Sequence, residues 1–281
     1  MTIGVTGASG FVGRALTERL RKSGHQVRAI SMRGNLPPDA LAGIDAVVNM
    51  AGEPVAQRWT PDARARILSS RVDGTRTLVD AMRAQHVQTL VSASAVGYYG
   101  SRGDAVLTES EPPANDFLGE VAQGWEREAI AAESHGARVT RIRIGMVLGH
   151  GGALQKMLPP FKLGLGGPIG GGRQWMSWIH INDLLSLIEF LLHGSTVRGV
   201  FNAVSPFPVT NAEFTRALGE GVHRPAFIPV PGFAVKLLFG EMSEIVLGSQ
   251  RAIPDAAVRA GFTFDHPDVF GALAGITSRS R

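Results

Sequence analysis

Cysteine is missing from all 281 residues, and tyrosine occurs only twice, as the neighbours Tyr98 and Tyr99. A chain without cysteine has no disulfide, no thiol nucleophile and no thiolate metal ligand. That composition fits a reducing compartment, with the cytoplasm as the expectation. The eight histidines are widely separated, with no pair at ligand spacing on one helix, so a metal site gains no support. No Gly-x-Ser-x-Gly nucleophile elbow occurs. No continuous apolar run is long enough to span a bilayer, and no charged region followed by an apolar stretch opens the chain, so no membrane partner is expected. The formal charge is +4, but the arginines are scattered and no run of five or more basic residues appears. That pattern argues against a nucleic-acid partner.

What the sequence does have is an apolar content of 44%, enough for one large domain or one and a half. It also has a glycine-spaced turn near its start. Ile3 and Val5 begin an apolar strand. Thr6, Gly7, Ala8, Ser9, Gly10, Phe11, Val12 and Gly13 then place glycines at 7, 10 and 13. At those positions a chain must turn tightly, approach a pyrophosphate and pack a helix on a strand. Apolar residues follow at helical spacing to Leu20, Gly24 supplies a C-cap, and Val27, Ala29 and Ile30 resume strand character. A glycine turn that follows a strand and opens a helix presents free N–H groups and a helix dipole to a diphosphate.

The end of the second strand selects the dinucleotide. A carboxylate there accepts hydrogen bonds from the adenosine ribose and repels a 2′-phosphate. This chain has Ser31, with Arg33 two residues on and Arg28 within the strand, and no Asp or Glu between Glu18 and Asp39. The expected cofactor is NADP(H), with Ser31 and Arg33 at the phosphate. The alternative for Arg33 is a solvated loop residue.

Further along, residues 46–50 read as a strand, 62–85 as a long helical region broken near Asp73-Gly74, and 89–92 as a strand. Residues 116–134 read as an amphipathic helix and 139–144 as another strand. This alternation predicts an α/β fold, a Rossmann-type doubly wound parallel sheet that binds ligands at the carboxyl ends of its strands. Residues 1–150, completed by 181–203, form the expected NADP-binding domain. Residues 151–180 and 204–281 form a smaller mixed C-terminal substrate lobe. The stretch 151–172 is too rich in glycine and proline for sheet and reads as loop. Residues 174–180 read as a strand leading into a helix over 183–192.

Asn49-Met50-Ala51-Gly52, the serine strand 91–94 and Trp178-Ile179-His180-Ile181-Asn182-Asp183 fall in the order of the extended short-chain dehydrogenase/reductase superfamily. The segments 51–55, 92–100, 157–161 and 172–178 resemble its epimerase-like subgroup, whose small C-terminal domain of unknown function is matched by 237–261. The resemblance implies a dinucleotide held by Thr6, Gly7, Ser9, Gly10, Phe11, Val12, Gly13, Asn49, Ala51 and Gly52. It also implies a homodimer through the helices after the third and fourth strands. Some relatives are linked to cell or plastid division.

The superfamily uses a Tyr and a Lys four residues apart on one helix. Here Phe117 and Val121 stand in those places, and the residues four beyond Tyr98 and Tyr99 are Arg102 and Gly103. The proton chemistry must therefore come from elsewhere. Ser94 falls where the superfamily places a hydroxyl that polarises a substrate carbonyl, although a small polar residue there also serves packing. Tyr98, four residues after Ser94, is the candidate acid, with one of the two tyrosines packed. Glu53 either handles a proton or substrate, or pairs with Arg58 or Arg71. Trp59, Trp175 and Trp178 are candidate pocket walls, with core packing expected for at least one of them, and His180 is structural. Two functions compete: an NADP(H)-dependent oxidoreductase or epimerase acting on a small polar molecule, and a non-catalytic NADP(H)-binding regulator.

Overall fold

A computed structural model describes residues 1–194 and 196–278. Six parallel strands form the central sheet: β1 (Thr2–Thr6), β2 (Gln26–Ile30), β3 (Ala46–Asn49), β4 (Thr89–Ala95), β5 (Arg138–Ile144) and β6 (Gly199–Ala203). Their order across the sheet is β2-β1-β3-β4-β5-β6. Winding runs from β1 to β2 on one side and reverses to β3 on the other, so the switch point lies between Thr6 and its register partner Asn49. Such sheets present ligands with a crevice at that point.

Both faces of the sheet are covered, as all-parallel sheets require. Helices α1 (Phe11–Lys22) and, from later in the chain, Ile181–His193 bury Leu16, Leu20, Leu187 and Ile188 against Val5, Val91 and Ile142. On the opposite face α2 (Pro61–Ala84) and α3 (Phe117–Ile130) bury Leu78, Met82 and Ala129 against Val47, Leu90 and Val139. Gly24, at φ +83 just past α1, ends that helix.

Four expectations change. Helix α2 runs unbroken through Asp73-Gly74, because Leu78, Val79 and Met82 beyond the glycine are held in the core and outweigh its low propensity. The helix expected over 116–134 ends at Ile130 and continues as a 3₁₀ turn, Ala131–His135, closed by Gly136. The stretch read as loop from 151 contains α4 (Gly152–Lys162), whose Leu154 and Phe161 are buried. Pro159 and Pro160 sit near its end, and the turn still closes through Leu163 N–H to the Pro159 carbonyl. The strand expected over 174–180 is two short pieces, Trp175–Met176 and Trp178–His180.

The smaller lobe joins α4 to α5 (Ile181–His193) by these pieces and adds α6 (Asn211–Gly221), α7 (Gly232–Phe239) and the helix Val269–Ser278. Its core packs Trp178, Phe214, Leu218 and Leu273 around Leu154 and Phe161. The strand Trp178–His180 pairs with Met146–Leu148, directly beyond β5, which anchors the lobe above the carboxyl ends of the sheet.

Candidate active site

The glycine turn has the geometry its spacing implies. Gly7 sits at φ +65, and a Cβ there would lie 2.6 Å from the Met50 carbonyl oxygen. A Cβ on Gly13 would lie 2.1 Å from the Gly7 carbonyl oxygen, so only glycine lets α1 pack this close to the turn. Gly10 precedes α1 in extended conformation and no side chain caps the helix. The first-turn N–H groups therefore have no side-chain acceptor of their own, which leaves the positive end of the helix uncapped. Ser9 is exposed beside them. The Phe11 ring lies against Gly149, Gly151 and Gly152, where added Cβ atoms would come within 2.5–3.0 Å of it.

Thr6 and Asn49 are buried and joined, with Thr6 Oγ1 donating to Asn49 Oδ1 at 2.7 Å. Thr6 Oγ1 in turn accepts the N–H groups of Met50 and Ala51 at 3.0 and 3.1 Å. Their side chains thus shape the switch point from below. Gly52 rests on Arg71, whose Cζ would be 2.8 Å from a Cβ. Burial pulls the Arg71 guanidinium down to about 10, opposed by the charge of Glu53.

Ser31 and Arg33 are exposed at the end of β2, and the Arg33 N–H donates to Ser31 Oγ at 3.3 Å. Arg28 is committed elsewhere. Its guanidinium holds the irregular connection between β2 and β3 through the Ala42 carbonyl at 2.8 Å. Arg33 is therefore the cation left beside Ser31.

On the other side of the crevice, Ser94 lies one residue before the end of β4, is only 3% exposed and donates a hydrogen bond to Glu126 Oε1 at 2.8 Å. Glu126, on α3, is held in a two-point pair by Arg143 on β5, at 2.7 and 2.9 Å. Arg141 adds a contact at 3.3 Å. Charge-assisted pairing of this kind offsets the desolvation of both ions. Burial pushes the Arg143 guanidinium down, but the bonds and charge of Glu126 and its contact with Tyr99 carry it above its ordinary value.

The two tyrosines differ in burial, Tyr99 lying in an apolar cluster and Tyr98 packing against its edge. Tyr99 is wholly buried, donates to Asn202 Oδ1 at 2.7 Å and accepts from Arg143 Nη1 at 2.9 Å. Burial pushes its phenol up to about 12, with Arg143 and Asn202 opposing. Tyr98 is half-buried, and the Arg143 guanidinium lies over its ring 3.4 Å from the centroid. Its own hydroxyl makes no hydrogen bond among the described residues.

Glu53 is half-buried and pairs with neither Arg58 nor Arg71 through its carboxylate. Oε1 accepts from Gln57 at 3.0 Å, with Arg66 Nε at 3.8 Å, while Arg71 donates to the Glu53 backbone carbonyl. Residues 53–57 fold back as a turn, which brings Gln57 rather than Arg58 onto the acid. Phe117 and Val121 join Trp59, Ile67 and Met242 in an apolar cluster. Arg64 lies over the Phe117 ring and ties Glu241 of the smaller lobe at 2.7 Å. Of the three candidate tryptophans, Trp178 and Trp59 are buried in apolar clusters and Trp175 is half-buried. Trp175 donates to Asp104 at 2.8 Å, with Arg251 over its ring. His180 caps α5 by accepting the Asn182 N–H.

Sequence reading missed Glu126, Arg143 and Asn202. One signal was available for Glu126: it lies one position from Trp125 and three from Ala129 on the face of α3 that carries Val121 and Ala122, so it is a charge on a buried stripe.

Comparison with known proteins bears on the family and the fold. Residues 3–203 match the profile of the NAD dependent epimerase/dehydratase family, and 230–276 match a domain of unknown function, DUF1731. An Arabidopsis thaliana protein named as the chloroplastic homologue of epimerase family protein SDR39U1 is 40% identical, across 98% of this chain and 86% of its own. The crystal structure of human SDR39U1 with NADPH superposes with a TM-score of 0.90 at 34% identity, covering 99% of each chain. A nucleoside-diphosphate sugar epimerase from Corynebacterium glutamicum superposes at 0.81 with 33% identity, covering 99% of this chain and 58% of that one. By the profile, the relatives and the fold together, the chain belongs to the NAD dependent epimerase/dehydratase family and carries that family's Rossmann-type sheet.

Proposed function

We propose that this chain binds NADP(H) across the β1–β3 switch point and acts as an oxidoreductase or epimerase on a small polar substrate. The observation that carries the reading is the uncapped start of α1 on the Gly7–Gly13 turn, with Ser31 and Arg33 and no carboxylate at the end of β2. A relative solved with NADPH supports the phosphorylated cofactor. The bound dinucleotide would supply hydride chemistry. The Phe11 and Val12 N–H groups would hold its diphosphate, and Arg33 its 2′-phosphate.

Tyr98 is the proposed proton donor, because its hydroxyl is uncommitted and its ring is fixed by Arg143. Ser94 would polarise a carbonyl only by giving up its bond to Glu126. Glu53, beside the Gly52 turn, would bind a polar substrate group together with Gln57. The absence of cysteine fits a reducing compartment, here proposed as the cytoplasm.

The test is calorimetric titration with NADPH and NADH, then NADPH oxidation over a carbonyl panel with wild type, Tyr98→Phe, Ser94→Ala and Glu53→Gln. NADPH should bind at least tenfold tighter than NADH, and Arg33→Ala should remove most of that ratio. Turnover lost in Tyr98→Phe supports the enzyme. Tight binding without turnover on any substrate favours a regulator, a reading that the apolar cluster at Phe117 and Val121 also suits.

A further inference from the structure

Most of the large apolar side chains that face solvent lie on one part of the smaller lobe. Leu163 and Leu165 follow α4. The segment 166–170 runs beside 226–231 through Ile228 N–H to the Gly166 carbonyl and Val230 N–H to the Pro168 carbonyl, and that second segment leads straight into α7. Along this path Phe227 is 73% exposed, Phe233 74%, Leu237 87% and Leu238 75%. Val235 alone anchors α7 inward. Side chains so exposed and so close in the chain form a patch of a kind that marks an interaction surface.

The charge around the patch restricts its partner. Lys162 ends α4, and its carbonyl accepts from the Arg224 guanidinium at 3.3 Å. Arg216, His223 and Arg224 line the groove that Phe227 borders, with Glu220 its one acid. Lys236 lies between Val235 and Leu237 on α7. No salt bridge among the described residues engages Lys162, Arg224 or Lys236. Glu241, just after α7, is tied to Arg64, and the remaining acids Glu220 and Glu244 are outnumbered by Lys162, Arg216, Arg224 and Lys236, an excess of positive charge that a second copy would bring against itself. A surface that is both apolar and negative satisfies both features at once.

We propose that this face rests on an anionic lipid bilayer, with Phe233, Leu237 and Leu238 entering the headgroup region and Lys162, Arg224 and Lys236 meeting lipid phosphates. The contact is peripheral, for no helix among the described residues is long and apolar enough to cross a membrane.

The test is co-sedimentation of the full chain with phosphatidylcholine vesicles, with and without phosphatidylglycerol, at low and high salt. Two double variants accompany it, Leu237→Glu with Leu238→Glu and Lys162→Glu with Lys236→Glu, each checked by thermal melting for an unchanged fold. Binding should require phosphatidylglycerol, weaken with salt, and fall at least tenfold in either variant. Failure of the wild type to sediment with anionic vesicles overturns the proposal. So does binding that both variants retain. So does a dimer in light scattering that Leu237→Glu with Leu238→Glu splits, since the face would then be covered by a second copy. None of these readouts depends on NADP(H), so the lipid contact and the proposed catalysis fail separately.

Discussion

Thr6 and Asn49 face each other in register at the ends of β1 and β3, and the hydroxyl of the first donates to the amide oxygen of the second at 2.7 Å. Asn49 passes the connection on through its amide nitrogen to Thr75 and Ser92, so one buried chain of hydrogen bonds ties three adjacent strands to α2. Thr6→Val keeps the shape and removes the donor, and it strands the Met50 and Ala51 N–H groups. The expected loss is about 1–3 kcal/mol in urea unfolding, with weaker NADPH binding because the crevice floor loosens.

Glycines in one chain can carry opposite signs. Gly13→Ala drives a methyl into the Gly7 carbonyl and should abolish measurable NADPH binding as α1 is forced off the turn. Gly74→Ala, inside α2 with no atom within 4 Å of the new Cβ, should stabilise by about 0.5–1 kcal/mol through helix propensity. Melting temperatures of the two variants should move in opposite directions.

Removing one partner of the Glu126–Arg143 pair leaves the other charge buried. Glu126→Gln should cost roughly 3–5 kcal/mol. Combining Glu126→Leu with Arg143→Met should recover part of that cost, but not all, because Arg143 also serves the Tyr99 hydroxyl and the Glu109 carbonyl. Chemical denaturation of the single and double variants gives the coupling directly.

His180 makes stability depend on pH. Burial, with the charges of His266 and His150, lowers it to about 4 from an ordinary 6.5. Between those values the unfolded chain binds the proton and the folded one does not, so the stability His180 supplies is complete above 6.5 and drains away as pH falls towards 4. The full effect is up to roughly 3 kcal/mol. Asp183 and Glu109, both raised by burial, act in the opposite sense at the acid end. The His180→Asn variant, which keeps an acceptor for the Asn182 N–H, isolates the histidine. Its unfolding free energy should vary less between pH 6.5 and 4 than that of wild type.

The dinucleotide turn was legible because its constraint is local. Three glycines within seven residues answer clashes with atoms of the same turn or its immediate neighbour. The missing carboxylate at Ser31 was legible for the same reason. The polar cluster behind Tyr98 was not, since Glu126, Arg143 and Asn202 lie on three elements that meet only when β5 pairs with β4 and β6. Gly74 misled in a third way. Its low helix propensity is a local signal, and core contacts on the residues after it prevailed. The apolar face of α7 was hidden because a short run of Phe and Leu reads as core until its neighbours are placed.

The last strand of the sheet is separated from its partner by α4, the short strands around Trp178 and α5. During synthesis β5 emerges first, and its outer N–H and C=O groups stay open until β6 leaves the ribosome roughly fifty residues later. Through that interval the nascent chain carries an unpaired parallel edge with apolar flanks, a template for pairing with another chain. Translation pauses or truncations between residues 150 and 199 should therefore yield aggregated protein, whereas release after β6 closes the edge within the chain itself.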